Sequence, residues 1–241
     1  MIGIDDPDAP IYRIFSLDRF SKMVTSRKNG LVHPSKWGDP FENFFLKNDA
    51  EMSDGTLVSL YQISESWYGQ CWTRNRESDA MWRIYSAEKA GVRLETTIRK
   101  LFSSFYDLSD KFASLKYLIG SVEYKSREEI EDFLSGTKFM DLSFGGQPHG
   151  FAKTLLIKRP EFSHENEVRL LFQDTDGGHG SNGVAEFPFD WDTILSEVAL
   201  DPRLTESEFQ TEKQKLVSLG CTVPITQSDL YKFTPMRVRL E

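Results

Sequence analysis

The sequence predicts an α+β fold in a single domain, in which strands and helices follow one another without regular strand–helix–strand repeats. Three observations support this prediction. A length of 241 residues fits one large domain or two small ones. Hydrophobic residues make up 39% of the chain and charged residues 27%, which is typical of a globular protein with a sizeable core. Runs with the period of a strand lie between runs with the period of a helix along the whole chain.

The first thirty residues predict an arm, a strand and a helix. Residues 1–10 contain three Asp and two Pro and are expected to form an acidic N-terminal arm before one domain at residues 11–241. The apolar run at residues 11–15 predicts a buried strand. Ser16 is a suitable N-cap for the helix that follows, and Asn29-Gly30 is expected to end that helix.

The middle of the chain predicts strands and helices separated by turn-rich loops. Strands are expected at residues 56–64, 69–73, 92–97, 118–124, 167–173 and 184–189, the last at a sheet edge because of Pro188. Helices are expected at residues 80–89, with Ser78 or Asp79 as the N-cap, and at residues 97–112 and 126–134. Loops are expected at residues 31–43, 141–151 and 175–183. The one GxGxxG sequence begins at Gly178 and opens no helix, so it predicts a hairpin turn rather than a dinucleotide site.

The tail predicts a helix, a strand, a helix and a strand in turn. Residues 190–195 lead into a strand that begins at Glu197, and residues 205–220 predict a helix with a Thr-x-x-Glu capping box. A short strand is expected at residues 222–225. The polar–apolar alternation at residues 232–240 predicts an edge strand.

Composition excludes several classes of protein. Two Cys are too few for a disulfide framework, and neither Cys nor His has the spacing of a structural zinc site. A net charge of −8 argues against binding nucleic acid or anionic membranes over the whole surface. With no apolar run long enough to span a bilayer, and no basic and apolar leader, we expect a cytoplasmic protein without membrane contact and without a metal.

An arginine stands inside the first apolar strand, in the pair Tyr12-Arg13. Burying an unpaired charge is costly, so Arg13 requires a partner. A planar guanidinium at this position suits a phosphate or a ribose of a bound ligand. Pairing with Glu42 or Asp39 of the next loop is the equally weighted alternative.

Aromatic and hydroxyl side chains accumulate in the middle of the chain, in Cys71-Trp72-Thr73 and then at Met81, Trp82 and Tyr85. Trp82 and Tyr85 lie three residues apart and share one helix face. They are suited to wall a site for a flat heteroaromatic ring. Packing in the core is the alternative, and for these residues alone it is favoured.

Two carboxylates, Glu165 and Glu167, stand at the start of a predicted strand and are expected on one face of it. Beside a glycosidic bond, such a pair stabilises an oxocarbenium-like transition state, with one carboxylate engaging a ribose hydroxyl. The alternative is a solvated strand end, with Glu167 paired to Arg169 or Lys158.

In this order the motifs resemble family 2971 of the bacterial domains of unknown function. The shared segments are Tyr12-Arg13, Trp37-Gly38-Asp39-Pro40-Phe41-Glu42, Cys71-Trp72-Thr73, Met81-Trp82 with Tyr85, Gly91-Val92, Glu165-x-Glu167-x-Arg169 and the segment 197–202. Gly38 stands where the family usually has Asn. Members occur near phage-defence genes, so the resemblance implies a toxin, with an antitoxin partner, or an antiviral defence effector.

The pattern is similar, more remotely, to the ADP-ribosyltransferase fold, with its mixed sheets and flanking helices. The similarity implies an NAD-dependent ADP-ribosyltransferase that modifies a macromolecule, with nucleic acid favoured over protein as the acceptor. The implied residues are Glu167 as catalytic carboxylate with Glu165 as its helper, and Arg13, Tyr12, Thr73, Trp82 and Tyr85 as NAD-binding residues. The Ser-Thr-Ser strand motif of that superfamily is missing around Thr73.

Two other functions remain open from the sequence. A metal-dependent nuclease would use Asp39, Glu42, Glu165 and Glu167 as its acids. A non-catalytic sensor or partner-binding module would use the acidic surface and the flexible Gly-rich loop at residues 177–183. Basic residues either form a rim that steers a phosphate backbone or are ordinary solvated side chains; they are Arg74, Arg76, Arg83, Lys89, Lys153, Lys158 and Arg159.

Overall fold

A branched, mostly antiparallel sheet forms the centre of the molecule. The computed structural model describes residues 1–39, 42, 44, 49–51, 54–136, 149–237 and 239. Its strands are β1 (Pro10–Ser16), β2 (Lys28–Val32), β3 (Asp49–Glu51), β4 (Leu57–Ser59), β5 (Trp67–Thr73), β6 (Gly91–Thr97), β7 (Tyr117–Ser121), β8 (Glu123–Tyr124), β9 (Ile157–Lys158), β10 (Glu167–Gln173), β11 (Gly180–Ser181), β12 (Val184–Pro188), β13 (Glu197–Leu200) and β14 (Ile225–Gln227).

Helices cover the sheet and connect its strands. They are α1 (Leu17–Ser26), α2 (Tyr61–Glu65), α3 (Asp79–Tyr85), α4 (Ile98–Phe105), α5 (Ala113–Lys116), α6 (Arg127–Gly136), α7 (Gly150–Thr154), α8 (Trp191–Ile194) and α9 (Glu206–Ser218), with 3-10 turns at Pro34–Lys36 and Pro160–Glu165. The predicted α+β class, with mixed sheets and flanking helices, is confirmed. None of the described helices is both long and apolar enough to cross a membrane.

The sheet branches at β5. One edge of β5 pairs with β10 over its whole length, and β10 in turn pairs with β7. On the other edge, Gly69 faces Val32 of β2 while Thr73 faces Tyr12 of β1. From there β1 continues through β6 and β13 to β14, and β2 continues through β12 to β11. The two arms therefore diverge between Gly69 and Thr73 and leave an opening.

The backbone of Cys71 faces that opening. The N–H of Arg74 donates to the carbonyl of Asn166 at 3.0 Å. The backbone N–H and carbonyl groups of Arg74 and of Trp72, two residues earlier, therefore point toward β10. Because these groups alternate along a strand, those of Cys71 point to the opposite edge. In the described strand register, neither β1 nor β2 has a residue opposite Cys71. One N–H and one carbonyl of β5 are thus presented at the branch.

The main core is rich in aromatic rings, as the composition predicts. Phe105, Tyr117, Phe172 and Phe187 pack together, with the centroids of Phe105 and Phe187 4.7 Å apart in an edge-to-face arrangement. This cluster lies between the sheet and the helices that cover it. It fixes β10 against β7 and β12 and so sets the strand that carries Glu167.

Side-chain caps begin several helices where the sequence predicts them. Ser16 and Ser78 accept from the backbone of Arg19 and Met81, and the Thr205–Glu208 capping box is complete. Strand β10 matches its predicted bounds. The leader is tied to the sheet, because the N–H of Ile2 donates to Ile119 at 2.8 Å. The division of the chain at residue 10 stays a prediction.

Several predicted boundaries are wrong. Helix α1 ends at Ser26, with the left-handed Arg27 as its cap, and Asn29-Gly30 lies inside β2. Residues 56–64 divide into β4 and α2, because the apolar run cannot distinguish a strand from a short helix. Strand β12 is an inner strand, since it pairs with β11 as well as with β2.

Other predicted elements are shorter than expected or lie outside the described residues. The predicted helices at residues 80–89 and 97–112 end at Tyr85 and Phe105, and the predicted strand at 118–124 divides into β7 and β8. The described residues of the predicted strand 232–240 form no strand. Parts of two predicted loops lie outside the described part of the chain. They are residues 40, 41 and 43 of the loop at 31–43 and residues 141–148 of the loop at 141–151.

Candidate active site

A cavity opens where β1 and β2 diverge from β5. Its volume is about 250 Å³, slightly below the range of about 300–1,000 Å³ that is usual for small-molecule sites. Side chains from β1, α1, β5, α3 and the start of β10 line it. The polar ones are Tyr12, Arg13, Arg19, Gln70, Cys71, Thr73, Tyr85, Glu165 and Glu167. Basic and acidic groups from distant parts of the chain therefore share one cavity.

Arg13 lies in this cavity without an anionic partner. Its guanidinium stands 4.8 Å from the ring centroid of Phe15, and no described residue forms an ion pair with it. The predicted alternative partners are engaged elsewhere, since Glu42 binds Lys158 and Arg169. Burial, together with the nearby charge of Arg19, lowers the pKa of Arg13 to about 10. A cationic side chain that remains protonated at neutral pH is thus left for a ligand to neutralise.

Glu167 is held by Arg169, which follows it by two residues on the same face of β10. Nε of Arg169 lies 2.5 Å from Oε1 of Glu167, and Nη2 lies 3.1 Å from Oε2. Nη1 of Arg169 donates to the carbonyl of Leu155 at 2.7 Å, and its guanidinium lies over the ring of Trp37. Only 3% of Glu167 is exposed. The predicted pairing with Arg169 is confirmed, whereas the predicted solvated strand end is wrong.

Lys158 binds three carboxylates at once. Its Nζ lies 2.5 Å from Glu165, 2.8 Å from Glu42 and 3.2 Å from Glu167. Together with Arg169, which also binds Glu42 at 2.8 Å, these residues form what we call the Lys158 cluster. Three carboxylates and two cations leave the Lys158 cluster with one net negative charge. Two of its carboxylates, Glu165 and Glu167, line the same cavity as Arg13.

Electrostatics keep the Lys158 cluster ionised. Burial acts to raise the pKa of Glu167, but Arg169 and Lys158 outweigh it and lower the pKa to about 2. Burial acts to lower the pKa of Lys158, but Glu167, Glu165 and Glu42 raise it above its ordinary value. Glu167 and Lys158 are therefore both charged throughout the physiological pH range.

Tyr85 connects α3 to the Lys158 cluster. Its hydroxyl donates to Oε1 of Glu165 at 2.8 Å, and burial together with Glu165 raises the pKa of the phenol above its ordinary value. Glu165 ends a 3-10 turn, and Asn166 has a left-handed backbone, with φ of 43°. The expected common strand face is therefore absent. Glu165 and Glu167 converge instead because Asn166 redirects the chain.

A second cavity adjoins the first. The two share a wall of Trp37, Cys71, Tyr85, Glu165 and Glu167. The far side of the second cavity is lined by exposed or half-buried residues from α3 and the 3-10 turn, among them Ile84, Phe162 and His164. Glu165 is thus accessible from two directions.

The structure brings most of the predicted site residues together. Tyr12, Arg13, Thr73, Tyr85, Glu165 and Glu167 all line the first cavity. Thr73 is engaged within the protein, since its hydroxyl donates to the carbonyl of Glu165 and accepts from Asn75. The ring of Tyr12 lies below Arg93, whose guanidinium is 5.4 Å from the ring centroid.

Trp82 lies outside the cavity wall. It is fully buried with Ile14 and Met81, and its Nε1 donates to Glu77 at 2.8 Å. The helix turns so that Met81 and Tyr85, four residues apart, face the cavity. The predicted aromatic wall of Trp82 and Tyr85 is therefore reduced to Tyr85.

Sequence reasoning missed the central role of Lys158 and of Glu42. The signal for Lys158 was present, because it was an alternative partner of Glu167. Glu42 was assigned to the nuclease alternative, and nothing in the sequence placed it beside Arg169. Of the expected basic rim, Lys158 is buried in the Lys158 cluster and Arg159 binds Asp39 at 2.9 Å.

The nuclease alternative would need its four acids to hold a cation. Glu42, Glu165 and Glu167 instead surround Lys158, and Asp39 binds Arg159. Among the described residues, no group of acids, His and Cys has the arrangement of a metal site. Protein cations occupy the positions between these carboxylates, which argues against this alternative.

The sequence of residues 81–170 matches the family model "Protein of unknown function (DUF2971)". This match confirms the predicted resemblance to family 2971 over that segment, which includes Tyr85, Lys158, Glu165, Glu167 and Arg169. No curated protein matches the chain.

Solved structures of DarT from Thermus sp. 2.9 resemble the chain at a distance. The complex with ADP-ribosylated ssDNA is 13% identical, with a TM-score of 0.43, and the match covers 96% of this chain and 100% of that chain. The complex with NAD+ is 12% identical, with a TM-score of 0.43, and the match covers 94% of this chain and 98% of that one. At these scores the likeness places no ligand in this chain.

Proposed function

We propose that the chain is an NAD-dependent ADP-ribosyltransferase that breaks the bond between nicotinamide and ribose and transfers ADP-ribose to a macromolecule. One observation carries the proposal: Arg13, which has no ion-pair partner among the described residues, lines the same cavity as Glu165 and Glu167 of the net negative Lys158 cluster. NAD has the matching polarity, with an anionic diphosphate and a ribose that becomes cationic when nicotinamide leaves. Both ends of such a ligand would find a complementary charge.

The spacing of the strands suits this ligand. β1 and β10 lie on either side of β5, so Arg13 and Glu167 belong to strands separated by two spacings, about 10 Å. Arg13, with the exposed Arg19 nearby, would hold the diphosphate through charge-assisted hydrogen bonds. The ribose attached to nicotinamide would then lie toward Glu167.

The branch of the sheet offers a place for the nicotinamide. The carboxamide of nicotinamide has an NH2 group that donates and a carbonyl that accepts. The backbone of Cys71 presents a matching carbonyl and N–H in the opening. Tyr85, whose ring is 43% exposed, would flank the heteroaromatic ring. The specificity for nicotinamide would therefore come from backbone as well as from side chains.

The carboxylates would act electrostatically. As the glycosidic bond breaks, its electron pair goes to the nicotinamide nitrogen and positive charge develops on the ribose. Glu167, held rigidly by Arg169, would stabilise that charge without having to move. Glu165, accessible from the second cavity, would accept the proton of the attacking acceptor group.

The acceptor we propose is a nucleic acid in preference to a protein, and the setting we propose is a bacterial toxin, with a neutralising antitoxin, or an antiviral defence effector. The resemblance to family 2971 supports this setting, and the second cavity beside Glu165 supports an acceptor of macromolecular size. The acceptor would enter on the side of Ile84, Phe162 and His164.

Two measurements test the proposal. NAD titrated into the protein should bind, and radiolabelled ADP-ribose should pass from NAD to single-stranded DNA, RNA or protein of a cell lysate in the presence of EDTA. Glu165→Gln should abolish transfer while NAD still binds. If the wild-type protein binds no NAD and labels no fraction of the lysate, the proposal is wrong. Activity that requires a divalent metal but no NAD would instead support the nuclease.

A further inference from the structure

The last turn of α3 is held from outside by two residues that follow β13. Arg203 donates to the carbonyl of Trp82 at 3.3 Å and to the carbonyl of Ser86. The same arginine binds Asp201, with Nε 2.9 Å from Oδ1 and Nη2 2.6 Å from Oδ2. The hydroxyl of Ser86 donates to Asp201 at 2.5 Å. We call Ser86, Asp201 and Arg203 the α3 clasp.

The α3 clasp is buried at its centre and fully hydrogen-bonded. Asp201 is fully buried, and its carboxylate accepts from Ser86, from the side chain of Arg203 and from the backbone N–H of Arg203. The carbonyls of Trp82 and Ser86 also accept from the backbone N–H groups of Ser86 and Lys89, so Arg203 is a second donor to each of them. Because the buried Asp201 carboxylate is held by several hydrogen bonds, the position of Ser86, and with it the end of α3, is fixed.

Gly91 completes this arrangement. A Cβ on Gly91 would lie 2.5 Å from Cβ and 2.6 Å from Oγ of Ser86, closer than side chains pack. The absence of a side chain at the start of β6 is therefore what lets Ser86 reach Asp201.

Tyr85 is the residue next to Ser86 and is the last residue of α3. Its hydroxyl makes the 2.8 Å hydrogen bond to Glu165 that joins α3 to the Lys158 cluster. Tyr85 is only partly buried, so packing alone does not hold its ring. The contact depends on where the end of α3 lies, and the α3 clasp fixes that end.

From these contacts we infer that Ser86, Asp201 and Arg203 are positioning residues that hold the Tyr85 hydroxyl against Glu165. The geometric part of this inference concerns the free protein. Its consequence for transfer rests on the proposed function. Loosening the α3 clasp should therefore change the environment of Tyr85 first, and the rate of transfer through it.

The geometric part is tested by fluorine NMR of protein labelled with 3-fluorotyrosine, in which Tyr85→Phe assigns the Tyr85 resonance. Arg203→Gln and Gly91→Ala should move or broaden that resonance toward the position of free fluorotyrosine. The matched controls are Arg99→Gln, which breaks an exposed two-bond pair with Asp8, and Gly178→Ala, whose Cβ would meet nothing within 4 Å. These should leave it in place. A resonance unmoved in folded Arg203→Gln and Gly91→Ala proteins overturns the inference.

The functional part is tested by a double-mutant cycle on the rate of ADP-ribosyl transfer. Arg203→Gln should lower kcat by about tenfold to a hundredfold, the effect of a small misplacement of a reacting group, with KM for NAD within about twofold. In the Tyr85→Phe background it should have little further effect, because the contact is already lost. Equal losses in both backgrounds would show that the α3 clasp acts on the fold alone. If no variant and no wild-type protein transfers ADP-ribose, the proposed function fails while the NMR result still decides the geometry.

Discussion

Arg169 grips Glu167 through both of its carboxylate oxygens, at 2.5 Å and 3.1 Å, and neither side chain has appreciable exposure. Substituting Glu167→Gln removes the negative charge and leaves the buried guanidinium without its main partner. We expect a loss of about 3–5 kcal/mol in the free energy of unfolding, the cost of breaking a buried pair. Urea denaturation measures it. The control is Glu186→Gln, which breaks an exposed pair with Lys28 and should cost at most about 1 kcal/mol.

The stability of the protein in acid should depend on the same carboxylate. The pKa of Glu167 is about 2 in the folded protein, below its ordinary value near 4.5, so the unfolded chain binds the proton more readily. The stabilisation is fully present above pH 4.5 and is lost as the pH falls toward 2, by about 3 kcal/mol in all. Urea unfolding of wild type and Glu167→Gln from pH 6 to pH 3 should give curves that converge in acid. Parallel curves would contradict this assignment.

Arg13 should determine the affinity for NAD. With Arg13→Gln, the cavity loses a cation that has no partner in the described protein, so binding should weaken by about 10-fold to 100-fold, as for a charge-assisted hydrogen bond. Folding should suffer little or improve, because an unpaired charge is removed. Isothermal titration gives both wild-type and variant affinities. Arg99→Gln serves as the control. Equal affinities of Arg13→Gln and wild type for NAD would show that Arg13 does not contribute to NAD binding.

Substitutions of Trp82 and Tyr85, three positions apart on α3, should affect different properties: the first the stability of the fold, the second the rate of transfer. Trp82→Ala opens a cavity in the core and should cost about 3–5 kcal/mol of stability, measured by thermal or urea unfolding. Tyr85→Phe keeps the ring and loses only the bond to Glu165, so stability should change by about 1 kcal/mol or less while transfer falls. A large stability loss in Tyr85→Phe would mean that the hydroxyl serves the fold rather than the site.

The sequence could predict β10, the caps at Ser16 and Ser78 and the capping box at Thr205, because each depends on a local pattern. It could also place Arg13 and Glu167 in one site through the resemblance. It could not decide whether Trp82 or Met81 faces the cavity, since both fit the same helical stripe. That choice is made by Ile14 and Glu77, which bind Trp82 from other parts of the chain.

The ion pairs between distant parts of the chain could not be predicted from the sequence, for a similar reason. Glu167 and Arg169 are two residues apart and were a visible pair. Glu42 and Arg169 are 127 residues apart, and only the folded chain brings them together. Local periodicity carries no information on which distant charge fills a given position.

That same separation along the chain determines when the Lys158 cluster can form during synthesis. Glu42, Lys158 and Arg169 leave the ribosome at different times, and the Lys158 cluster forms only after β10 has emerged and aligned with β5. Contacts between such distant segments form late in folding, because the intervening chain must first be ordered. A chain that ends before Arg169 therefore cannot form the Lys158 cluster.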